Sequence, residues 1–285
     1  MRGARLGYGA AGPTGLPARL GHGAAGPTGL PARLAYGAAG LTGLLLLAEA
    51  VPRLGLVDER FLPPATVILG TLAGQLATAE LWIALAETLR GWAIGLALAF
   101  CAAVGAGVLI GVVPGLRALT NSTVEFLRPI PSVALVPLAT LLFGPSLGST
   151  LLLVVYAAFW QVLIQVLYGV AAVDAVAYDT ARSYGLSAWS RIRHLVWPTA
   201  LPYVMTGLRL AAAVAFILAV TAELVIGSPG LGAEIQVAQS SGAVPAVYAL
   251  IVLSGLVGIA VNAAVRLLER RVLAWHPAVR SEVAA

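Results

Sequence analysis

Long apolar runs alternate with short polar segments along this chain. A helix needs about 20 predominantly apolar residues to cross the hydrocarbon core of a bilayer. Six segments reach or approach this length and apolar composition. They cover residues 34–57, 91–113, 129–144, 146–173, 199–222 and 243–265. The pattern therefore predicts an all-α integral membrane protein with about six transmembrane helices.

Glycine and proline refine two of these segments. The 91–113 segment contains two GxxxG spacings, which let another helix approach closely. The 129–144 segment is short and carries three prolines, so we expect it to extend toward Val124 and to bend. Residues 62–81 are partly apolar, and we expect a further helix there at the outer surface.

The composition agrees with a membrane protein, because 60% of the residues are hydrophobic and only 10% are charged. All 17 basic residues are arginines, and they are scattered between apolar segments. A net charge of +5 distributed in this way does not give the continuous basic face that nucleic-acid binding requires. The single cysteine, Cys101, excludes an intramolecular disulfide.

The arginines also predict the orientation. If the amino terminus is cytoplasmic, thirteen arginines fall on the cytoplasmic side, and only Arg53, Arg60 and Arg90 fall outside. Cytoplasmic loops of membrane proteins carry an excess of basic residues. We therefore expect cytoplasmic amino and carboxyl termini and a cytoplasmic 174–198 segment.

The first 40 residues contain a 14-residue repeat that starts at Arg5, Arg19 and Arg33. Its glycine, alanine and proline content cannot bury a core, so we expect disorder over 1–40 and a transmembrane domain over 41–285. The repeat lacks the apolar run and cleavage site of a signal peptide. A tandem duplication or a misassigned start codon is the favoured explanation, and a specific interaction arm is the alternative.

The polar 174–198 segment predicts a helix, a turn and a second helix at the membrane surface. Gly185 follows a short helical stretch at a point where helices commonly end in the left-handed conformation. Ser187 can cap a second helix that runs to Val196, and Pro198 suits the first turn of the next span. These local features alone leave two interpretations open, an ordinary amphipathic connector and a docking element.

The spacing within this segment resembles the signature of permease subunits of bacterial ABC importers. That signature consists of Glu-Ala-Ala, three residues, Gly, nine residues, a large aliphatic residue, one residue and Leu-Pro, and it marks the loop that docks on the ATPase subunit. The matching residues here are Asp179, Thr180, Ala181, Gly185, Leu195, Trp197 and Pro198. Asp replaces Glu, Thr replaces the first Ala, Leu replaces Ile and Trp replaces Leu, and each change keeps acidity, small size or apolar bulk.

Other segments extend the resemblance over roughly residues 43–275. They are similar to permeases for nitrate, alkanesulfonates, taurine and related solutes, and they read FLRPIPSVALVPL from Phe126, ALPYVMTGLRLA from Ala200, AELVIGSPGLG from Ala222 and LLERRVLAW from Leu267. The resemblance implies a type I ABC importer permease-like bundle with a cytoplasmic coupling helix, in a bacterial inner membrane. Its implied partners are a second permease copy, a cytoplasmic ATP-binding subunit and an extracytoplasmic solute-binding protein that selects the substrate.

No chemistry on the substrate is expected of such a subunit. The chain has no GxxxxGK[ST] phosphate loop and no metal-ligand motif such as HExxH, so we expect no catalytic residue, no metal and no cofactor. ATP would be bound by the partner subunit. The sequence does not select one solute.

Four polar side chains at membrane depth are candidates for the translocation path, because such side chains are costly in lipid and tend to face a bundle interior or a water path. They are Gln161, Gln165, Arg209 and Glu223. For Arg209 a structural role, as an interhelical tie or as a side chain that snorkels to the cytoplasmic surface, is favoured over a cation that lines the path of an anionic solute. For Glu223 a gate or packing role is favoured over substrate binding. The two glutamines share one helix face, where they either line the path or bond a neighbouring helix.

Two other functional classes remain open from the sequence. A secondary transporter or a channel would carry solute without a motor subunit. An intramembrane enzyme would need a nucleophile, a base or metal ligands that converge within the spans, and the sequence supplies no such set.

Overall fold

The computed structural model describes residues 30–275, and nearly all of them are helical. The α-helices in this range are α1 (Leu30–Arg53), α2 (Ala65–Leu76), α3 (Ala79–Val112), α4 (Pro114–Leu127), α5 (Val136–Phe143), α6 (Leu147–Ala171), α7 (Ala175–Ser183), α8 (Ala188–Arg191), α9 (Trp197–Ile226), α10 (Leu231–Ser240) and α11 (Val244–Val272). A 3-10 turn, Ser132–Leu135, precedes α5, and a π-helical turn, Ile192–Val196, joins α8 to α9. No strand occurs between residues 30 and 275, which confirms the all-α prediction.

The chain divides into two units, residues 1–48 and 49–285. In the first unit the described residues belong to α1, which begins at Leu30, earlier than the boundary expected at residue 40. The third repeat has Leu41 and Leu45 where the earlier copies have proline, so nothing interrupts a helix there. Residues 30–40 are therefore helical, whereas the prediction of disorder for residues 1–29 lies outside the described range.

Five helices are long and apolar enough to cross a membrane, and a bent pair of helices makes up to a sixth span in the described part. The five are Ala35–Arg53, Ala79–Val112, Leu147–Ala171, Ala188–Ile226 and Val244–Val272. This agrees with the prediction of about six transmembrane helices.

The bent pair corresponds to the proline-rich segment. Its two parts, Gly115–Leu127 and Ser132–Phe143, meet at 82°. Pro129 and Pro131 lie in the break, where a missing N–H and the proline ring prevent a continuous helix. The expected bend is present, and the bent pair begins at Gly115, earlier than the expected extension toward Val124. Arg117, which was expected in a cytoplasmic loop, therefore lies on a helix.

Two other boundaries differ from the sequence prediction. The expected outer-surface helix over residues 62–81 is divided, because α2 ends at Leu76 and α3 begins at Ala79. Arg90, expected in an outer loop, lies inside the 34 residues of α3. Its Nη1 is 3.5 Å from Glu87 Oε2, so the pair shares one helix face and α3 tolerates the charge.

The core of the second unit is formed by α3, α6 and α9. Its buried side chains are small or branched and include Ala99, Val154, Val162, Ala211 and Ala215. The two GxxxG spacings of α3 face α6, as the sequence predicted. A Cβ atom at Gly95 would lie 2.5 Å from Val154 Cγ1, so glycine is required for this close approach. A second apolar cluster joins α2, α10 and α11 through residues such as Ile68, Leu231 and Leu250.

Candidate functional site

The polar segment between α6 and α9 folds as a helix, a turn and a second helix. The Asp174 side chain caps α7, because its Oδ1 accepts a hydrogen bond of 2.8 Å from the Ala177 N–H. At the other end of α7, the Leu186 N–H donates to the Ala181 carbonyl at 3.1 Å and the Gly185 N–H donates to the Arg182 carbonyl at 3.0 Å. These two bonds form a Schellman motif, in which Gly185 takes a left-handed φ of +74°.

The second helix of the segment starts immediately after this turn. Ser187 Oγ accepts from the Ser190 N–H at 3.2 Å and caps α8. The Arg191 guanidinium lies 5.1 Å from the centre of the Tyr178 ring, which joins α8 to α7. The turn is therefore defined by caps at both helix ends and by one contact between the two helices.

The second helix does not stop at Val196, as the sequence had suggested. One helix runs from Ala188 to Ile226 and contains the π-helical turn Ile192–Val196. The wider turn lies just before Pro198, whose ring and missing N–H disfavour regular α-helical pairing with the preceding turn. The second half of the segment is consequently continuous with the α9 helix.

The structure brings the predicted docking residues to two places. Asp179, Thr180, Ala181 and Gly185 lie on α7 and its turn, while Leu195, Trp197 and Pro198 lie at and just after the π-helical turn. Asp179, Thr180 and Gly185 are exposed, and a Cβ atom at Gly185 would meet no atom within 4 Å. The surface that these residues present is open to a partner.

Two aromatic side chains on this surface escaped the sequence analysis. Tyr184 is 82% exposed and Trp189 is 70% exposed, on either side of the turn at Gly185. Large exposed aromatic residues are the side chains that most often anchor protein interfaces. Their presence in a polar segment was the signal that could have identified them.

The candidate path residues are distributed over two helices of the core. Gln161 and Gln165 are half-buried on α6, and a Cβ atom at Gly207 of α9 would lie 3.0 Å from Gln165 Cβ. Gln165 therefore packs closely against α9. Arg209 Nη1 lies 3.4 Å from Glu269 Oε2, which connects α9 to α11 in the way that an interhelical tie requires.

Glu223 is the most buried charged side chain of the described residues, with 1% exposure. Its Oε2 accepts hydrogen bonds from Thr88 Oγ1 at 2.8 Å and from the Gly232 N–H at 3.1 Å. Thr88 Oγ1 in turn accepts from the Leu231 N–H at 2.8 Å. The carboxylate and the hydroxyl thus satisfy the first N–H groups of α10, which Gly230 cannot cap because it has no side chain. This geometry corresponds to a packing role.

A polar cavity next to α4 was not anticipated from the sequence. It has a volume of about 480 Å³ and lies between α3, α4 and α6. The signal for it was the spacing of Arg117, Asn121, Glu125 and Arg128, which places four polar residues on one helix face. Residues 30–275 hold no group of three or more side chains arranged to bind a metal ion.

Comparisons with known proteins all identify membrane components of transport systems. The family described as the binding-protein-dependent transport system inner membrane component matches residues 103–274. The taurine transport system permease protein TauC of Escherichia coli (strain K12) is 32% identical over 242 residues, which are 83% of this chain and 88% of that protein. The putative aliphatic sulfonates transport permease protein SsuC of Bacillus subtilis (strain 168) is also 32% identical, over 82% of this chain and 84% of that protein.

The fold has a counterpart among solved structures. A chain of the MetNI methionine ABC transporter in an inward-facing conformation superposes with a TM-score of 0.58 at 19% identity, over 67% of this chain and 95% of that chain. The match covers most of the helical bundle, and the family match includes the whole segment between α6 and α9. This chain therefore belongs to the family of binding-protein-dependent transport system inner membrane components.

Proposed function

We propose that this chain is the membrane-spanning permease subunit of an ATP-driven importer, and that it carries a small solute of the taurine, sulfonate or nitrate type into the cytoplasm. The observation that carries the proposal is the capped helix, turn and helix at residues 174–198, which continues without a break into α9. The family match supports the proposal, because it covers residues 103–274 and so includes this element. The solute class follows the taurine and aliphatic sulfonate permeases above and the nitrate import permease NrtB of Leptolyngbya laminosa, which is 29% identical over 66% of this chain and 68% of that protein.

The proposed mechanism uses the rigidity of this element. ATP binding by a separate cytoplasmic subunit would close a pair of such subunits, and the α7–α8 surface docked on them would move as a body. Because α8 and α9 form one helix, the movement would pass directly into the α9 span. A rigid-body change between inward-open and outward-open arrangements then transports the solute without chemistry on it.

The proposal includes the partners and the orientation. A second copy of the permease, two ATP-binding subunits and an extracytoplasmic solute-binding protein would complete the importer, and ATP would be bound only by the cytoplasmic subunits. The α7–α8 surface would face the cytoplasm, and the α9–α10 and α10–α11 turns would face the outside. The distribution of arginines supports this orientation, because the segment around Gly227 to Gly242 contains none.

The test is affinity purification of the tagged chain from its native membrane in mild detergent, with identification and stoichiometry of the proteins that co-purify. We expect an ATP-binding subunit at about one copy per permease by the two-plus-two architecture, and we expect Gly185→Asp to remove it. A left-handed conformation costs roughly 1–3 kcal/mol for a residue with a side chain, so this variant distorts the turn.

Gly242→Asp is the matched control, because Gly242 has a φ of +73° and equally open surroundings in a different turn. It should strain the backbone to the same extent and retain the ATP-binding subunit. Recovery of the permease alone, under conditions that preserve a known importer complex, would contradict the proposal and favour a motor-independent transporter.

A further inference from the structure

The cavity next to α4 has charged and polar side chains in its lining. Its polar lining is supplied mainly by one helix and consists of Arg117, Thr120, Asn121, Glu125, Arg128 and Tyr168. The larger cavity beside α5 and α6 has a volume of about 780 Å³ and is lined by leucine, valine, glycine and aromatic residues, with no charged side chain. A cavity of about 630 Å³ between α9 and α11 is also lined by charged groups, Arg209 and Arg266, but Arg209 is paired with Glu269. The α4 cavity offers a polar solute two arginines that make no ion pair within residues 30–275.

The polar residues form one continuous face. Arg117, Asn121, Glu125 and Arg128 follow one another at intervals of four, four and three positions, so a helix places them in one row. Asn121 Nδ2 donates to Glu125 Oε1 at 2.9 Å, which fixes the middle of the row. The two arginines stand at its ends, about 16 Å apart along the axis at 1.5 Å per residue.

One end of the row lies beside the long apolar helix α6. The Tyr156 hydroxyl donates to the Leu127 carbonyl at 2.7 Å. Tyr156 lies nine residues after the start of α6, which corresponds to about 14 Å along a helix of about 37 Å. Arg128, the next residue after Leu127, therefore lies well away from both ends of α6, while Tyr168 and Arg117 lie nearer the end of α6 that leads to α7.

A guanidinium that is removed from water needs a counter-charge. Three arginines of the described residues have one, because Arg53 pairs with Glu49, Arg90 with Glu87 and Arg209 with Glu269. Within residues 30–275, Arg117 and Arg128 make no ion pair, although both face the same cavity. The carboxylate nearest to them in sequence, Glu125, is bonded to Asn121. Charged residues at membrane depth are costly unless a partner or a water-filled path accommodates them.

We propose that the α4 cavity binds the transported solute, and that the group recognised is a small oxyanion such as a sulfonate or nitrate. This inference rests on the proposed import function. Guanidinium groups match oxyanions because their planar forks donate two hydrogen bonds to two oxygens. Arg128 binds the anion well away from both ends of α6, and Arg117 provides a second position toward the cytoplasmic end. Tyr168 and Thr120 line the passage between the two positions.

The first test measures anion binding in the cavity through the reactivity of a thiol, and it does not require transport. In a Cys101→Ala background, Thr120→Cys places a thiol in the cavity of the purified full-length permease. Its reactivity is compared between a methanethiosulfonate reagent that carries an ethylsulfonate and one that carries a trimethylammonium group. We expect the anionic reagent to react about tenfold faster than the cationic one, because a cleft of one charge sign raises local counter-ion concentration by about this factor or more. Arg128→Gln should remove most of this preference, and millimolar ethanesulfonate or nitrate should protect the thiol.

Thr180→Cys is the matched control. Thr120 and Thr180 both donate their hydroxyl to the carbonyl four residues earlier, at 2.8 Å and 2.7 Å, but Thr180 lies on the exposed face of α7. Its reagent preference should not respond to Arg128→Gln or to ethanesulfonate. Equal rates for the two reagents at Thr120→Cys, or no protection by either anion, would overturn the proposal. Protection by phosphatidylglycerol nanodiscs without protection by the small anions would assign the cavity to a lipid headgroup and would also overturn it.

The second test measures transport by the complete importer in proteoliposomes, with ethanesulfonate and nitrate as probes. Arg128→Gln should lower uptake at least about tenfold, the order expected when a charge-assisted contact of 1.5–3 kcal/mol is lost. Arg128→Lys should retain part of the uptake, and Arg271→Gln, at an exposed position outside the cavity, should retain all of it. If the wild type transports neither probe while the Thr120→Cys preference for the anionic reagent holds, the proposed solute class fails and the anion site stands. If the wild type transports a probe and Arg128→Gln transports it equally well, the site assignment fails and the import function stands.

Discussion

Glu223 shows how one side chain can organise the end of a span. Its carboxylate and the Thr88 hydroxyl satisfy two N–H groups of α10, and a Cβ atom at Gly230 would overlap the carboxylate. A second buried bond of 2.9 Å joins Thr150 of α6 to Ser228 in the same turn. Together these bonds hold the turn between α9 and α10 against α3 and α6.

We expect Glu223→Ala to destabilise this turn selectively. The substitution leaves the Gly232 N–H without its acceptor, and an unsatisfied buried group costs about 1–3 kcal/mol. The Thr88 hydroxyl can still donate to the Ala84 carbonyl at 3.2 Å. Hydrogen exchange should become faster at the amides of Leu231 and Gly232, while the amides of α6 keep their protection. Glu234→Ala, on α10 but outside this hydrogen-bond network, is the control, and similar exchange in both variants would contradict the assigned role.

The contact between Tyr178 and Arg191 makes a second prediction at the residue scale. A cation over an aromatic face contributes about 0.5–1 kcal/mol at an exposed site. Tyr178→Leu should therefore loosen the pairing of α7 and α8, and limited proteolysis within residues 183–188 should accelerate. Tyr178→Phe keeps the ring and should behave as the wild type. Equal proteolysis of the Leu and Phe variants would show that the ring face contributes nothing to the turn.

At the scale of elements, the contact between α3 and α6 depends on glycines at a spacing of four. Gly107 faces α6, and a Cβ atom there would lie 2.7 Å from Val166 Cγ1. Gly105, two positions earlier, has no atom within 4 Å of a Cβ atom. The two glycines therefore differ only in the face of the same helix on which they lie.

This difference predicts that alanine substitutions at Gly107 and at Gly105 have different effects on stability. Gly107→Ala should lower the thermal unfolding midpoint in detergent, because overpacking a close helix contact typically costs about 1–3 kcal/mol. Gly105→Ala should leave the midpoint unchanged or raise it, since alanine is the better helix former. If Gly105→Ala were as destabilising as Gly107→Ala, helix propensity or lipid contact, rather than packing on α6, would explain the glycines.

At the scale of the whole molecule, the proposed orientation puts the α7–α8 surface and the open end of the α4 cavity on the same side of the membrane. Both belong to the same side in the proposed topology, because α6 ends at Ala171 near Tyr168 and leads directly into α7. A solute leaving the α4 cavity toward Arg117 would then emerge on the side where ATP is hydrolysed. Import requires this arrangement.

Reporter fusions test the orientation. Alkaline phosphatase fused after residue 186 should be inactive, because it remains in the cytoplasm, whereas fusion after residue 242 should give an active enzyme outside. A green fluorescent protein fused at the same two positions should show the opposite pattern. An active phosphatase at residue 186 would reverse the proposed topology and separate the 174–198 segment from any cytoplasmic ATPase.

Much of the architecture could be derived from the sequence, because lipid imposes a simple rule. Backbone groups in a bilayer must be bonded within helices, so the length and composition of apolar runs were sufficient to locate the spans. The turn at Gly185 and the caps at Asp174 and Ser187 were equally accessible, since they depend on residues close together in the sequence. The same is true of the GxxxG face of α3.

The tertiary structure decided what depends on contacts between distant segments. The partners of Glu223 are 135 positions away at Thr88 and across a turn at Gly232, and hydropathy contains no information about such pairs. The 82° break made α4 a separate helix, and only the bond from Tyr156 to Leu127 shows that the end of α4 lies against α6. Sequence thus determined which segments are long and apolar enough to cross a membrane and how the turn at Gly185 is built, whereas packing alone determined which polar side chains face one another.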